Sequence, residues 1–280
     1  MCRKKRRGCF GRLFLLFLLC SLLFAGYMAM QSRIVKLCSA ELYLKGLPSG
    51  FEGATILYVS DVHAGALASG KESARVLLDL QSLYPDLLLL GGDYSGADLW
   101  SVRNPEAALG ERDAFFQELA WFYAPLGKFA VRGCSDMDQG LQDALTAGGV
   151  TLLCNQVARL DRNGDHLILA GFDDWSKGEQ AVEGVCALFA EQDTVIALSH
   201  DAALFPMAAR HGAPDLMLCG APPLGQVRLP AFLTRNAAAC PGWQRLGSTT
   251  LLISGGLGCA RLPLRLNSPA QVHLITLRRG

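Results

Sequence analysis

No CxxC pair occurs in this 280-residue sequence, although it contains ten cysteines, all of them spread singly along the chain. That scatter excludes the dense disulfide framework of a small secreted domain. Seven cysteines follow residue 33 (Cys38, Cys134, Cys154, Cys186, Cys219, Cys240 and Cys259), an odd number. Most are expected to be small buried apolar residues, with one or two disulfides open and their pairing undetermined. Internal repeats, low-complexity segments and linkers long enough to split the chain are also missing. A half-apolar chain of this length can instead bury one large core.

A basic surplus is missing from the body of the chain. The formal net charge is +1, but seven of the 26 Lys and Arg and none of the 25 Asp and Glu fall within residues 1–33, so the remainder is acidic by six charges. Nucleic-acid binding needs a basic footprint on the folded domain, so no nucleic acid is expected as a partner.

What the sequence does have begins with its first thirty residues. Residues 1–12, "MCRKKRRGCFGR", form a basic head, and 13–30, "LFLLFLLCSLLFAGYMAM", form an apolar run close to the length that spans a bilayer. A cleavable secretory signal shares this outline. The run is long for a signal core, however, and Ala25-Gly26 is followed by bulky Tyr27 and Met28, so the expectation is an uncleaved signal anchor. Six basic residues precede the span and only Arg33 and Lys36 follow it closely. This bias places the N-terminus in the cytoplasm and residues 34–280 beyond the membrane, with the membrane itself as a partner.

From Ala54 onward, short Leu-rich or β-branched runs alternate with helical patterns. Strands are predicted in "ATILYVSD", "DLLLLGGD", "KFAVRG", "HLILAGF", "TVIALSH", "DLMLCG", "TTLLISGG" and "QVHLITL". Helices are predicted over Lys71–Tyr84, Ala108–Ala124, Gln139–Ala147 and Gly178–Glu191. The alternation indicates an α/β fold with buried sheets. Polar residues gather where the strands end, in "SDVH", "GGD", "GCSD", "SHD" and "CGAPP", and ligands in α/β sheets bind at those ends. Asp61, His63, Asp93 and His200 are therefore expected to meet. Two carboxylates and two imidazoles suit Zn, Mn or Fe. A single strand-end Asp is more often a cap or turn former, and a single His such as His166, His211 or His273 is more often a surface or satisfied residue.

The four motifs "SDVH" (60–63), "GGD" (91–93), "LSHD" (198–201) and "GQVRLP" (225–230), in that order, resemble the calcineurin-like metallophosphoesterases, in particular their small membrane-associated bacterial branch. The likeness runs from Glu41 to Arg278. It implies a βαβαβ sandwich of two mixed sheets flanked by helices, behind the N-terminal membrane helix. It also implies a two-metal site, with Asp61 and His63 on the first metal, Asp93 on both and His200 on the second. Two such metals clamp a phosphate ester and lower the pKa of a water between them.

The sequence departs from the family pattern at four positions. Where the third family motif carries an Asn ligand and a His near the leaving group, this chain has Cys134 and Ser135. Where the last family motif carries two ligand histidines, it has Ala221 and Pro223. The expectation is a membrane-anchored phosphoesterase relative, weakly active or inactive, that holds at most one tightly bound divalent ion. One alternative is an active enzyme with a rearranged ligand set, using Cys134, Asp136 or Asp138. Another is a non-catalytic binding module in which the retained residues form a buried hydrogen-bond network. A phosphorylated lipid or envelope component near the membrane is the expected ligand class.

Overall fold

The computed structural model describes residues 6–96, 98–136, 140–173, 178–220, 225–228 and 241–280. Helix α1 covers Arg6–Gln31, and within it Phe10–Gln31 is long and apolar enough to cross a membrane. Only Ser32, Arg33 and Ile34 separate it from β1 (Val35–Leu44).

The body that follows is built from strands β2 (Thr55–Val59), β3 (Leu87–Leu90), β4 (Lys128–Ala130), β5 (Thr151–Leu152), β6 (Gln156–Arg162), β7 (Asp165–Phe172), β8 (Val195–Ser199), β9 (Leu216–Cys219), β10 (Gly242–Leu246), β11 (Thr249–Ile253) and β12 (Ala270–Arg279). Its helices are α2 (Gly70–Asp79), α3 (Pro105–Leu119), α4 (Leu141–Ala147), α5 (Gly178–Cys186) and α6 (Phe205–His211). Two six-stranded mixed sheets result, in the orders β1-β12-β2-β3-β4-β5 and β10-β11-β9-β8-β7-β6. In the first, β2 to β5 run parallel, while β12 is antiparallel to β2 and parallel to β1. In the second, β7, β8, β9 and β11 run parallel, with β6 and β10 antiparallel at the edges.

Continuous apolar strands are explained by the layering. Side chains alternate faces along a strand, and both faces here are covered. Ile56, Tyr58, Leu87 and Leu89 meet Leu167, Leu169, Ile196, Leu198, Leu216 and Leu218 between the sheets. Leu57, Val59, Leu88 and Leu90 turn the other way, onto Ala74 and Leu77 of α2 and Phe115, Phe116 and Leu119 of α3. Ala170, Phe172, Ala197 and Met217 pack likewise on Val182 and Val185 of α5 and Ala208 of α6. The order is therefore helices, sheet, sheet, helices.

Two expectations change here. No disulfide joins two of the described cysteines, and only Cys186 and Cys219 are buried; burial pushes the Cys186 thiol up to about 11. Of the others, Cys20 lies on α1, Cys38 on edge strand β1, and Cys134, Cys154 and Cys259 in loops, away from the core faces. Of the histidines, His166 pairs with Asp193 and His211 with Glu179, as surface residues should. His273 instead lies buried between the sheets opposite Tyr58, with Nε2 unbonded.

Burial holds the His273 pKa down at about 4. The unfolded chain therefore takes up a proton that the folded chain refuses as pH falls from about 6.5 toward 4, so stability is highest above that range and declines within it. At one pKa unit per 1.36 kcal/mol, and with the unfolded histidine already half protonated at pH 6.5, wild type should lose about 1.5 kcal/mol more than a His273→Leu variant between pH 6.5 and pH 5. Urea melts of both proteins at the two pH values check this, and parallel losses would show that His273 is not the group responsible.

Candidate metal centre

Asp61 and His63 lie just beyond the end of β2, Asp93 beyond β3, Cys134 and Ser135 beyond β4, and His200 beyond β8. Parallel strands deliver all of these loops to the same end of the sandwich. The loops interlock: Asp61 N donates to Gly92 O at 2.9 Å, His63 N to Asp93 O at 3.0 Å and Ala64 N to Tyr94 O at 2.8 Å. The backbone is strained here as well. Asp61, His63 and Asp93 have φ of +52°, +44° and +57°, a left-handed region that costs a side-chain-bearing residue on the order of 1–3 kcal/mol and that clusters at functional sites. Gly92, at φ +89°, shares the bend, and a Cβ there would stand 2.6 Å from Gly133 N.

Asp136 anchors the crossing of the second and third loops. Its carboxylate is buried and accepts from Asp93 N (2.6 Å), Gly133 N (3.0 Å), Tyr94 N (2.9 Å) and Ser95 N (3.3 Å). Burial, and then the Asp93 charge, raise its pKa to about 6. With both oxygens turned to backbone amides, Asp136 is a positioning residue and not the replacement ligand suggested as an alternative from sequence. Asp138, the other such alternative, lies outside the described residues, as do Ala221 and Pro223.

The side chains form two triads that share Asp93: Asp61, His63 and Asp93 in one, Asp93, Cys134 and His200 in the other, each with its ligand atoms within 4.8 Å of one another. Ser135 occupies one Asp93 oxygen, donating from N (2.8 Å) and Oγ (2.9 Å) to Oδ1. Oδ2 faces inward, 3.8 Å from His63 Nε2, 3.3 Å from His200 Nε2 and 3.6 Å from Cys134 Sγ. His63 Nε2 is also 3.9 Å from Asp61 Oδ1.

The imidazoles test whether a cation fits. His63 Nδ1 lies 3.3 Å from Ser95 O, and His200 Nδ1 lies 2.9 Å from Gly91 O. A proton on each Nδ1 would satisfy these carbonyls and leave each Nε2 lone pair aimed at carboxylates, an arrangement that repels until a cation enters. Metal-bound histidines are held this way, by a backbone carbonyl behind the ring. The opposed charges of the cluster show in the titration. Burial alone would lower His200, but the Asp93 hydrogen bond, helped by Cys134 and the Asp61 charge, raises it well above an ordinary histidine. Burial would raise Asp93, but His200 and then His63 hold it far below the usual carboxylate range. The donor set, one thiol with borderline nitrogens and hard oxygens, fits a divalent metal.

Beside the cluster opens a cavity of about 1000 Å³. Its walls include apolar Phe205, Leu246, Leu251 and Ile253 as well as Arg132. Arg132 is clamped by Asp173 and touches Cys154 Sγ at 3.0 Å. Sequence reasoning missed this arginine. The one available signal was a cation set directly before the third loop, in "AVRG". Gly225 and Gln226 keep their turn, with Ser268 Oγ donating to Gly225 O at 2.6 Å and Leu266 N to Gln226 O at 3.0 Å.

No family model matches the chain. Comparison with curated proteins finds 28% identity over 250 residues, 83% of this chain and 82% of the relative, with the uncharacterized metallophosphoesterase YkuE of Bacillus subtilis. A transmembrane protein with metallophosphoesterase domain from Danio rerio is 24% identical over 88% of this chain and 58% of its own length. An uncharacterized metallophosphoesterase of Aquifex aeolicus is 24% identical over 92% of this chain and 97% of its own.

Proposed function

We propose that the chain, which is similar to curated metallophosphoesterases, is a membrane-anchored member of the calcineurin-like family whose two-metal site has lost ligands, leaving at most one tightly bound divalent ion and weak or no turnover. The carrying observation is the ligand count. Among the described residues each position has three donors, and both positions draw on the same Asp93. The sequence replaces the family's remaining imidazoles with Ala221 and Pro223. A bound divalent ion supplies Lewis acidity to a phosphate ester and acidity to its water. Asp61, His63 and Asp93 would hold it, while Arg132 offers a fixed positive charge to the ester. The anchor is α1, with its basic head in the cytoplasm and residues 34–280 on the far side, and the ligand is a phosphorylated lipid or envelope component.

The test is metal content after dialysis. Purified full-length protein in detergent should retain no more than one equivalent of Zn, Mn or Fe by elemental analysis.

A second reading, an active phosphoesterase with a rearranged ligand set, is favoured by the place of Cys134, whose sulfur joins Asp93 and His200 in ligand range and is a good zinc donor as thiolate. Two equivalents of zinc in wild type, falling to one in Cys134→Ser, would select that reading.

A further inference from the structure

We propose that the end of the molecule carrying the metal centre rests directly on the bilayer, with exposed Leu67, Leu99, Trp100 and Val102 entering its interfacial layer. This rests on reading α1 as a membrane anchor.

Strand direction sets which end faces the membrane. β1 pairs in parallel with β12 from Val35↔Ala270, and β12 is antiparallel to β2 with His273↔Tyr58. The start of β1 therefore lies at the end of the sheet where β2 finishes, beside Asp61 and His63. Three residues join that point to α1, too few to hold the domain away from the surface. The rim is also bonded to the helix: Arg265 N donates to Met28 O at 3.1 Å, and Asn267 N to Gln31 Oε1 at 3.2 Å.

The loop that carries Leu99, Trp100 and Val102 is stiff. The buried Asp98 carboxylate accepts from Trp100 N at 2.9 Å and Ser101 N at 3.0 Å and from the Ser101 hydroxyl. Val102 N donates to Asp98 O at 2.9 Å, and Ser101 Oγ accepts from Ala66 N at 3.0 Å, tying the loop to the one that carries Leu67. Yet Trp100 is 51% and Val102 71% exposed. A bonded frame that presents large apolar side chains outward is arranged for a partner, and one within reach of a membrane helix meets lipid, where Trp favours the interface. Trp121, 80% exposed, precedes β4 and so lies at the opposite end of the sheet, where it serves as an internal control. With the rim seated, the cavity opens at lipid level, which suits a phosphoester carrying an apolar chain.

Full-length protein reconstituted into phosphatidylcholine vesicles, with part of the lipid brominated on the upper acyl chain, tests the proposal without any assay of turnover or metal. The expected result is loss of tryptophan emission in wild type, a smaller loss in Trp100→Phe and an unchanged loss in Trp121→Phe. Both substitutions are conservative and at exposed positions, and flotation with the vesicles is scored in parallel. Protein that floats but shows no quenching, or quenching undiminished by Trp100→Phe, overturns the docking surface and leaves the anchor standing. Protein that does not float overturns the anchor and this proposal together.

Discussion

Asp93→Asn is expected to abolish measurable divalent-metal binding at both positions, whereas Asp61→Asn and His200→Ala should each affect only their own. Asp93 is the one side chain common to the two triads, and its Oδ2 is the atom that faces both imidazoles and the thiol. Loss of partners that merely orient metal ligands already costs 10- to 100-fold in affinity, so loss of a shared anionic ligand from a three-donor site should cost more than about 100-fold. Asn is preferred to Ala here because its carbonyl can still accept from Ser135 N and Oγ and so keep the loop crossing intact. Melting temperature provides a second readout. A metal that binds only the folded chain raises stability in proportion to the logarithm of its concentration, so added Mn or Zn should shift wild type upward and leave Asp93→Asn unmoved. A metal-dependent shift surviving in the variant would place the cation elsewhere.

The elements that could be read from the sequence are those buried on both faces. β2, β3, β4, β7, β8, β9, β11 and β12 were all recognisable as apolar runs because each has neighbours on both sides and layers above and below. β1, β5, β6 and β10 were not, and all four are sheet edges. In β6, "QVARLDR", only Leu160 is buried, and in β10, "GWQRL", no residue is, so neither presents the continuous pattern that marks an interior strand. Short α6 escaped for a related reason, with only Phe205 and Ala208 buried. At the site, strand-end position was enough to foretell that Asp61, His63, Asp93 and His200 converge. The left-handed backbone of the first three, and the turn of Asp136 toward four amides, depend on how two loops cross, and no residue spacing encodes that.

Restoring the family ligands in one step, with Cys134→Asn, Ser135→His, Ala221→His and Pro223→His together, should raise metal occupancy to two and increase hydrolysis of an aryl phosphodiester by at least about 100-fold, the range in which a single electrostatic contributor to catalysis is felt. Much of the frame for those ligands survives. Asp93 already presents Oδ2 to both positions, His63 and His200 are oriented from behind by carbonyls, and the Gly225-Gln226 turn beyond the last motif stays pinned to Leu266 and Ser268. Gly220, which opens that motif, lies so close to His200 that an added Cβ would strike its ring, so the motif begins beside the second position. Partial restoration should do little, since clamping both the attacking and the leaving oxygen needs two ions at once. Ser135→His has a cost, because it removes the hydroxyl that donates to Asp93 Oδ1 while retaining the backbone donor at 2.8 Å. Pro222 is left in place, and its fixed φ, with the limit it sets on the residue before it, is the main obstacle to aiming a histidine at 221. A Pro222→Gly exchange added to the four should therefore increase turnover further. A variant that binds two metals and still shows no more turnover than its parent would mean that the site has changed shape as well as ligands.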